Sequence, residues 1–136
     1  MKHWLIKSEP STWSWNNQLK NNTTMWDGVR NYQARNYMKM MKKNDLCFFY
    51  HSLVEKQIVG IVKVIREFYP DPTDVTKKFV AVDVKYYSSF SNPVTLEQIK
   101  SEKKLSDILL LKQSRLSVMP VDNKSWNLMC EMSKNQ

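Results

Sequence analysis

The stretch Met25–Tyr37, MWDGVRNYQARNY, opens a helix with chemistry that a purely structural helix would not need. Ala34, Tyr37, Met38 and Met41 recur at i, i+3, i+4 and i+7, one apolar face of a helix over about residues 31–42. Arg35, Lys39 and Lys42 fall on a second, cationic face. Ahead of them stand Trp26, Asp27, Gly28, Val29, Arg30 and Asn31. Asp27-Gly28 makes a turn in which Gly28 supplies a positive φ or lets the backbone approach a ligand. The free amides after Asn31 carry partial positive charge that attracts an anion. A plainer reading fits the same residues, with Trp26 in the core and Asp27 or Asn31 capping the helix.

Working outward, residues 3–7 alternate as a short strand, and Ser14 caps a short helix over Trp15–Lys20. Asn21-Asn22-Thr23-Thr24 reads as a loop. Lys43-Asn44-Asp45 ends the longer helix, with Asn44 in the left-handed conformation usually given to glycine. Leu46–His51, Ile58–Phe68 and Phe79–Tyr87 are rich in Val, Ile and Phe and read as strands. Thr95-Leu96-Glu97-Gln98 is a capping box opening a short helix. Leu116–Met119 makes a last strand, which would put Arg115 and Ser117 on one face. Asp122 caps a last helix carrying Trp126, Met129 and Cys130. Strands adjacent to strands, with helices interspersed, predict an α+β fold: a small, curved, mostly antiparallel sheet, barrel-like, with short peripheral helices. Residues 1–136 are expected to form one domain.

Twenty-one Lys and Arg against 13 Asp and Glu give a net charge of +8, with a pI near 9.5. That balance favours a polyanionic partner, nucleic acid ahead of an anionic membrane surface. A lysine-rich coding bias explains the same count, since 17 of the 21 cations are lysines. Two glycines exclude a P-loop and a GxGxxG fingerprint. His3 and His51 have no Cys or carboxylate at zinc-site spacing, so no metal is expected. His51 and Ser52 are adjacent on a strand and point to opposite faces, which argues against a hydrolytic triad. Cys47 and Cys130 read as buried thiols of a reducing compartment. There is neither a signal peptide pattern nor an apolar run near the ~18 residues that cross a membrane, so the cytoplasm is the expected address.

Polar groups gather beside aromatics at four places: Lys7-Ser8-Glu9-Pro10, the helix start, Phe49-Tyr50-His51-Ser52, and Arg115-Leu116-Ser117-Val118. These segments resemble the signature motifs of the EVE domain family, the thymocyte nuclear protein 1-like group. Ile58-Val59-Gly60-Ile61, Tyr69-Pro70-Asp71-Pro72-Thr73 and Pro93-Val94-Thr95-Leu96 resemble the remaining motifs, in the same order, and the match spans about residues 3–130. Asn44 replaces the family's usual glycine, and the loop from Tyr69 to Lys78 looks shorter than in many relatives. The resemblance implies a PUA-like β-barrel and a non-catalytic reader of a modified nucleobase in DNA or RNA, without a cofactor and as a monomer.

On that basis Trp26 is expected to stack on the base, while Arg30 and the helix amides hold a flanking phosphate. Ser8, Asn31 and Ser117 would bond the base edge, and Tyr50 and His51 would form part of the wall. Lys7 and Arg115 are further cations, and Glu9, Gly28, Val29 and Ser52 complete the site. One alternative is a binder of, or enzyme on, a free nucleoside or nucleotide, using Glu9 or Asp27 as its acid/base group. Another is a scaffold without a pocket.

Overall fold

The computed structural model describes residues 1–134, over which six strands and five helices alternate irregularly. In chain order they are β1 (His3–Ser8), α1 (Trp15–Asn21), β2 (Thr23–Trp26), α2 (Tyr32–Met40), β3 (Leu46–His51) and β4 (Gln57–Pro70). There follow β5 (Val80–Thr95), α3 (Leu96–Ser101), α4 (Leu109–Lys112), β6 (Val118–Val121) and α5 (Asn123–Met132). The strands form one sheet in the order β2-β5-β4-β3-β1-β6. β1 runs parallel to β3, and every other neighbour pair is antiparallel.

The mixed α+β expectation therefore holds, and the sheet is mostly antiparallel. Barrel closure does not follow. β2 and β6 are the two ends of the sheet order, and among the described residues no ladder joins them. The register of the long β4–β5 ribbon breaks at four places, and each such break adds a local bend and twist.

Helix starts follow local chemistry. Ser14, Asn31, Thr95 and Asp122 each accept a hydrogen bond from an amide in the first turn, and Thr95 with Gln98 completes a reciprocal capping box. Asn44 takes a φ of 79°, as a glycine substitute should.

β3 is buried on both faces. Phe48 stacks under Trp126 of α5 at 3.7 Å, while Phe49, on the opposite face, meets Trp15 at 4.9 Å and Trp26 at 5.5 Å. Gly60 lies opposite Phe49 in the next strand. A Cβ there would stand 2.2 Å from Trp15 Cζ2 and 2.8 Å from the Ser88 carbonyl oxygen, so the absent side chain is what lets Trp15 lie against the sheet.

Four local expectations are revised. Thr23 and Thr24, expected as loop, begin the edge strand Thr23–Trp26, because its backbone pairs with Val82–Lys85; composition carries no trace of that tertiary pairing. β5 continues past Tyr87 to Thr95, because its second half pairs with the start of β4. β6 begins at Val118, leaving Arg115 and Ser117 in the preceding turn, so they do not share a strand face. Cys47 is fully buried but Cys130 only half-buried, so the two thiols are not alike.

Candidate functional site

Three chain segments meet where β1 ends. Lys7 donates its backbone N–H to the Ser117 carbonyl at 2.9 Å, and Ser52 donates to the Ser8 carbonyl at 2.9 Å. These bonds tie the segment before β6 and the exit of β3 to the end of β1. Beyond them opens a cavity of about 760 Å³, within the usual range for ligand sites. Its walls include Lys7, Ser8, Glu9, Trp26, Gly28, Val29, Arg30, Asn31 and Ser117, all anticipated from sequence. Thr12, Trp13, Thr24, Met25 and Asp27 complete the lining. A second hollow of about 400 Å³ shares Lys7, Glu9 and Ser117 and adds Tyr50, Ser52 and Arg115 to its wall. The expected site residues thus divide between two adjoining depressions.

His51 lines neither. Its Nε2 accepts the Trp15 N–H at 3.0 Å, so the proton sits on Nδ1, which donates to Glu55 at 2.6 Å. The ring joins the start of α1 to the end of β3, and the expected wall role is replaced by an anchoring one. The alternation that turns Tyr50 toward the hollow turns His51 away from it.

Trp26 is at once a core residue and part of the cavity wall. It is 8 % exposed and packs edge-on against Phe49, yet it lines the cavity. A second indole, Trp13, stands on the same wall half-buried, its Nε1 donating to Gln18 Oε1 at 2.9 Å. Sequence reasoning passed over it. The signal was present in Thr12-Trp13-Ser14-Trp15, where a second tryptophan sits just outside a helix cap. Thr24 and Trp26 alternate onto one face of β2, a pattern hidden by reading Thr23-Thr24 as loop.

Arg30 differs from expectation in its partners. Nη1 donates to Asp71 Oδ2 at 3.0 Å and to the Val29 carbonyl at 3.1 Å, and Nη2 donates to Thr73 Oγ1 at 2.9 Å. The guanidinium that was to hold a phosphate already has a carboxylate. Asp71 also accepts the Gly28 N–H at 2.8 Å, which fixes the turn where Gly28 takes a φ of 80°. Burial works to raise the Asp71 carboxyl, but hydrogen bonds from Thr73, Gly28 and Arg30 outweigh it and hold the group below the usual carboxylate range.

Three other groups are partly committed. Asn31 Oδ1 caps α2 by accepting the Ala34 N–H at 2.9 Å, leaving its Nδ2 donors without a protein partner among the described residues. The Ser8 hydroxyl donates to the Trp13 carbonyl, leaving an oxygen that still accepts. Lys7 Nζ donates to the Ser114 carbonyl at 2.8 Å, and burial lowers its pKa.

Residues 2–132 match the family model of the EVE domain. The chain belongs to the EVE domain family. Thymocyte nuclear protein 1 of Gallus gallus is 32 % identical over an alignment covering 98 % of this chain and 69 % of that protein. Among solved EVE-like structures, a Rhodopseudomonas palustris protein is 48 % identical with a TM-score of 0.93, covering 98 % of this chain and 94 % of the other. Human THYN1 protein, solved in complex with 5-methylcytosine-containing DNA, is 29 % identical with a TM-score of 0.93, covering 100 % and 99 %. As in those structures, the EVE fold here is mixed α+β. Among the described residues, no helix is long and apolar enough to cross a membrane.

Proposed function

We propose that this EVE domain is a non-catalytic nucleic-acid-binding module that reads a modified nucleobase in DNA or RNA, with residues 1–136 acting as one unit. The observation that carries the reading is the main cavity, where two indoles stand beside polar groups with bonding capacity left over. Trp13 and Trp26 offer flat apolar faces, worth about 1–3 kcal/mol per stacked base. Asn31 Nδ2, the Ser8 oxygen and Ser117 reach the base edge. A base that left such groups unpaired would cost about 1–3 kcal/mol for each. The relative solved with 5-methylcytosine DNA supports nucleic acid as the partner class. The curved sheet, though open at β2 and β6, is in our reading a relaxed form of the PUA-like barrel.

The test is binding to matched oligonucleotides carrying cytosine, 5-methylcytosine, 5-hydroxymethylcytosine, adenine or N6-methyladenine, each single- and double-stranded. Preference for one modification, lost in Trp13→Ala with the fold intact, supports the reader. Equal binding to all of them removes it. Glu9 and Asp27 stand exposed on the same cavity and favour a second reading, an enzyme on free nucleosides. Turnover of a nucleoside panel, abolished in Glu9→Gln or Asp27→Asn, would select that reading instead.

A further inference from the structure

Arg30, just ahead of α2, is tied to Asp71. Uncommitted positive charge stands elsewhere. The hollow beside the main cavity carries Lys7, Lys56 and Arg115 on its wall, against a single carboxylate, Glu9. Among the described residues none of the three cations forms an ion pair.

Their placement is built into the fold. Lys7 is held in register opposite Tyr50 in the β1–β3 ladder. Its ammonium spends one donor on the Ser114 carbonyl and lies 5.8 Å from the centre of the Tyr50 ring, with two donors left. Lys56 closes the β3–β4 turn at a φ of 50°, and its carbonyl accepts the Leu96 N–H at 2.8 Å, which fixes its backbone. Arg115 is exposed in the turn before β6. Tyr50 adds a phenol that burial keeps protonated, its pKa pushed up to about 12, and so still able to donate. Three cations against one carboxylate, none of them in an ion pair among the described residues, favour an anion with several oxygens. Lys7, Glu9 and Ser117 belong to both depressions, so the hollow adjoins the cavity along a shared edge, within reach of groups attached to a base held there.

Resting on the reader function above, we infer that this hollow holds the backbone phosphodiester adjoining the bound base, with Arg115 and Lys56 as its clamp and Lys7 bridging the two depressions. A terminal phosphate of a free nucleotide presents the same oxygens, and the test separates the two sources.

Lys56→Gln and Arg115→Gln, singly and together, remove charge at exposed positions, and a urea midpoint confirms that each variant folds. Single-stranded oligonucleotides with and without the preferred modified base are titrated at several salt concentrations. Parallel samples carry neutral methylphosphonate linkages beside that base. Each substitution is expected to reduce the slope of log affinity against log salt by about 0.7. It should weaken modified and unmodified strands by the same factor, keeping their ratio. The neutral linkages should weaken the parent protein and leave the double variant unchanged. Unchanged affinity and slope in the double variant would overturn the inference, even with base preference intact. Loss of base preference in the parent, with the charge dependence retained, would defeat the reader function and leave the phosphate site standing. Binding of a nucleoside 5′-monophosphate but no oligonucleotide, lost in the double variant, would overturn the strand assignment in favour of a free nucleotide.

Discussion

Asp71 and Arg30 form an ion pair at 3.0 Å in which the carboxylate side chain is fully buried and the guanidinium is 41 % exposed. The buried partner arrives from the end of the β4–β5 ribbon and the exposed one from the cavity wall. One carboxylate thereby fixes Gly28, Arg30 and Thr73 together. An arginine that looks like a ligand group from sequence is first a structural group here. Replacing Asp71 by Asn would set an NH₂ against donors that now meet oxygen. The expected loss is about 1.5–3 kcal/mol of stability by urea unfolding, toward the lower end because Arg30 is solvated. An unchanged midpoint would return Arg30 to the ligand.

The same loop makes the fold sensitive to acid. Asp74 Oδ1 takes the Thr76 hydroxyl and N–H, and Oδ2 takes the N–H groups of Lys78 and Phe79. The Thr76 hydroxyl leads in holding the Asp74 carboxyl down at about 2, and Asp71 is lowered as well. A carboxylate lowered by folding contributes fully above its unfolded value, near 3.9, and loses that contribution as pH falls through the folded value. Stability should therefore be insensitive to these groups from pH 7 to about 5 and fall between about pH 4 and 2. Asp74→Asn should start lower and show a shallower acid drop; an equally steep drop would remove Asp74 from the account.

The two tryptophans of the cavity should separate stability from binding. Trp26 lies mostly in the core, so Trp26→Ala is expected to cost about 3–5 kcal/mol, as buried large-to-small changes do. Trp13 is half-buried at the end of a loop, so Trp13→Ala should cost distinctly less while removing a stacking face. Urea midpoints beside oligonucleotide titrations check the pair. Equal destabilisation by both would make Trp13 a core residue.

Glycine substitutions should rank by mechanism. At Gly60 an added methyl meets Trp15 and the Ser88 carbonyl inside contact distance, so Gly60→Ala should cost at least the about 1–3 kcal/mol of ordinary overpacking. At Gly28 nothing lies within 4 Å, and the cost is that of a left-handed residue, about 1–2 kcal/mol. Gly28→Asn should cost less than Gly28→Ala, whereas no side chain rescues Gly60. Thermal unfolding of the three variants gives the order directly.

Much of this was legible in the sequence because it is local. The caps at Ser14, Asn31, Thr95 and Asp122 follow from hydroxyl, amide and carboxylate groups at fixed offsets, and the β3 run from its apolar residues. What was not legible depends on partners far along the chain. Thr23–Trp26 becomes a strand only because β5 lies beside it. Arg30 loses its freedom to a carboxylate 41 positions away. His51 turns to the backbone N–H of Trp15, 36 positions away. No periodicity within a window of sequence carries any of these.

Asn31 offers the sharpest separation of local structure from site chemistry. Its Oδ1 caps α2, while its Nδ2 faces no protein acceptor among the described residues. Asn31→Ala removes both functions and should cost about 1 kcal/mol through the lost cap. Asn31→Asp keeps an accepting oxygen for the Ala34 N–H and places negative charge where the helix dipole favours it, so stability should match or slightly exceed the parent. The same change replaces a donor pair with an acceptor and adds a like charge near any strand phosphate. Oligonucleotide affinity should therefore fall in Asn31→Asp while the urea midpoint does not. If affinity and midpoint instead fall together in both variants, Asn31 serves the helix alone, and the cavity reads its ligand without it.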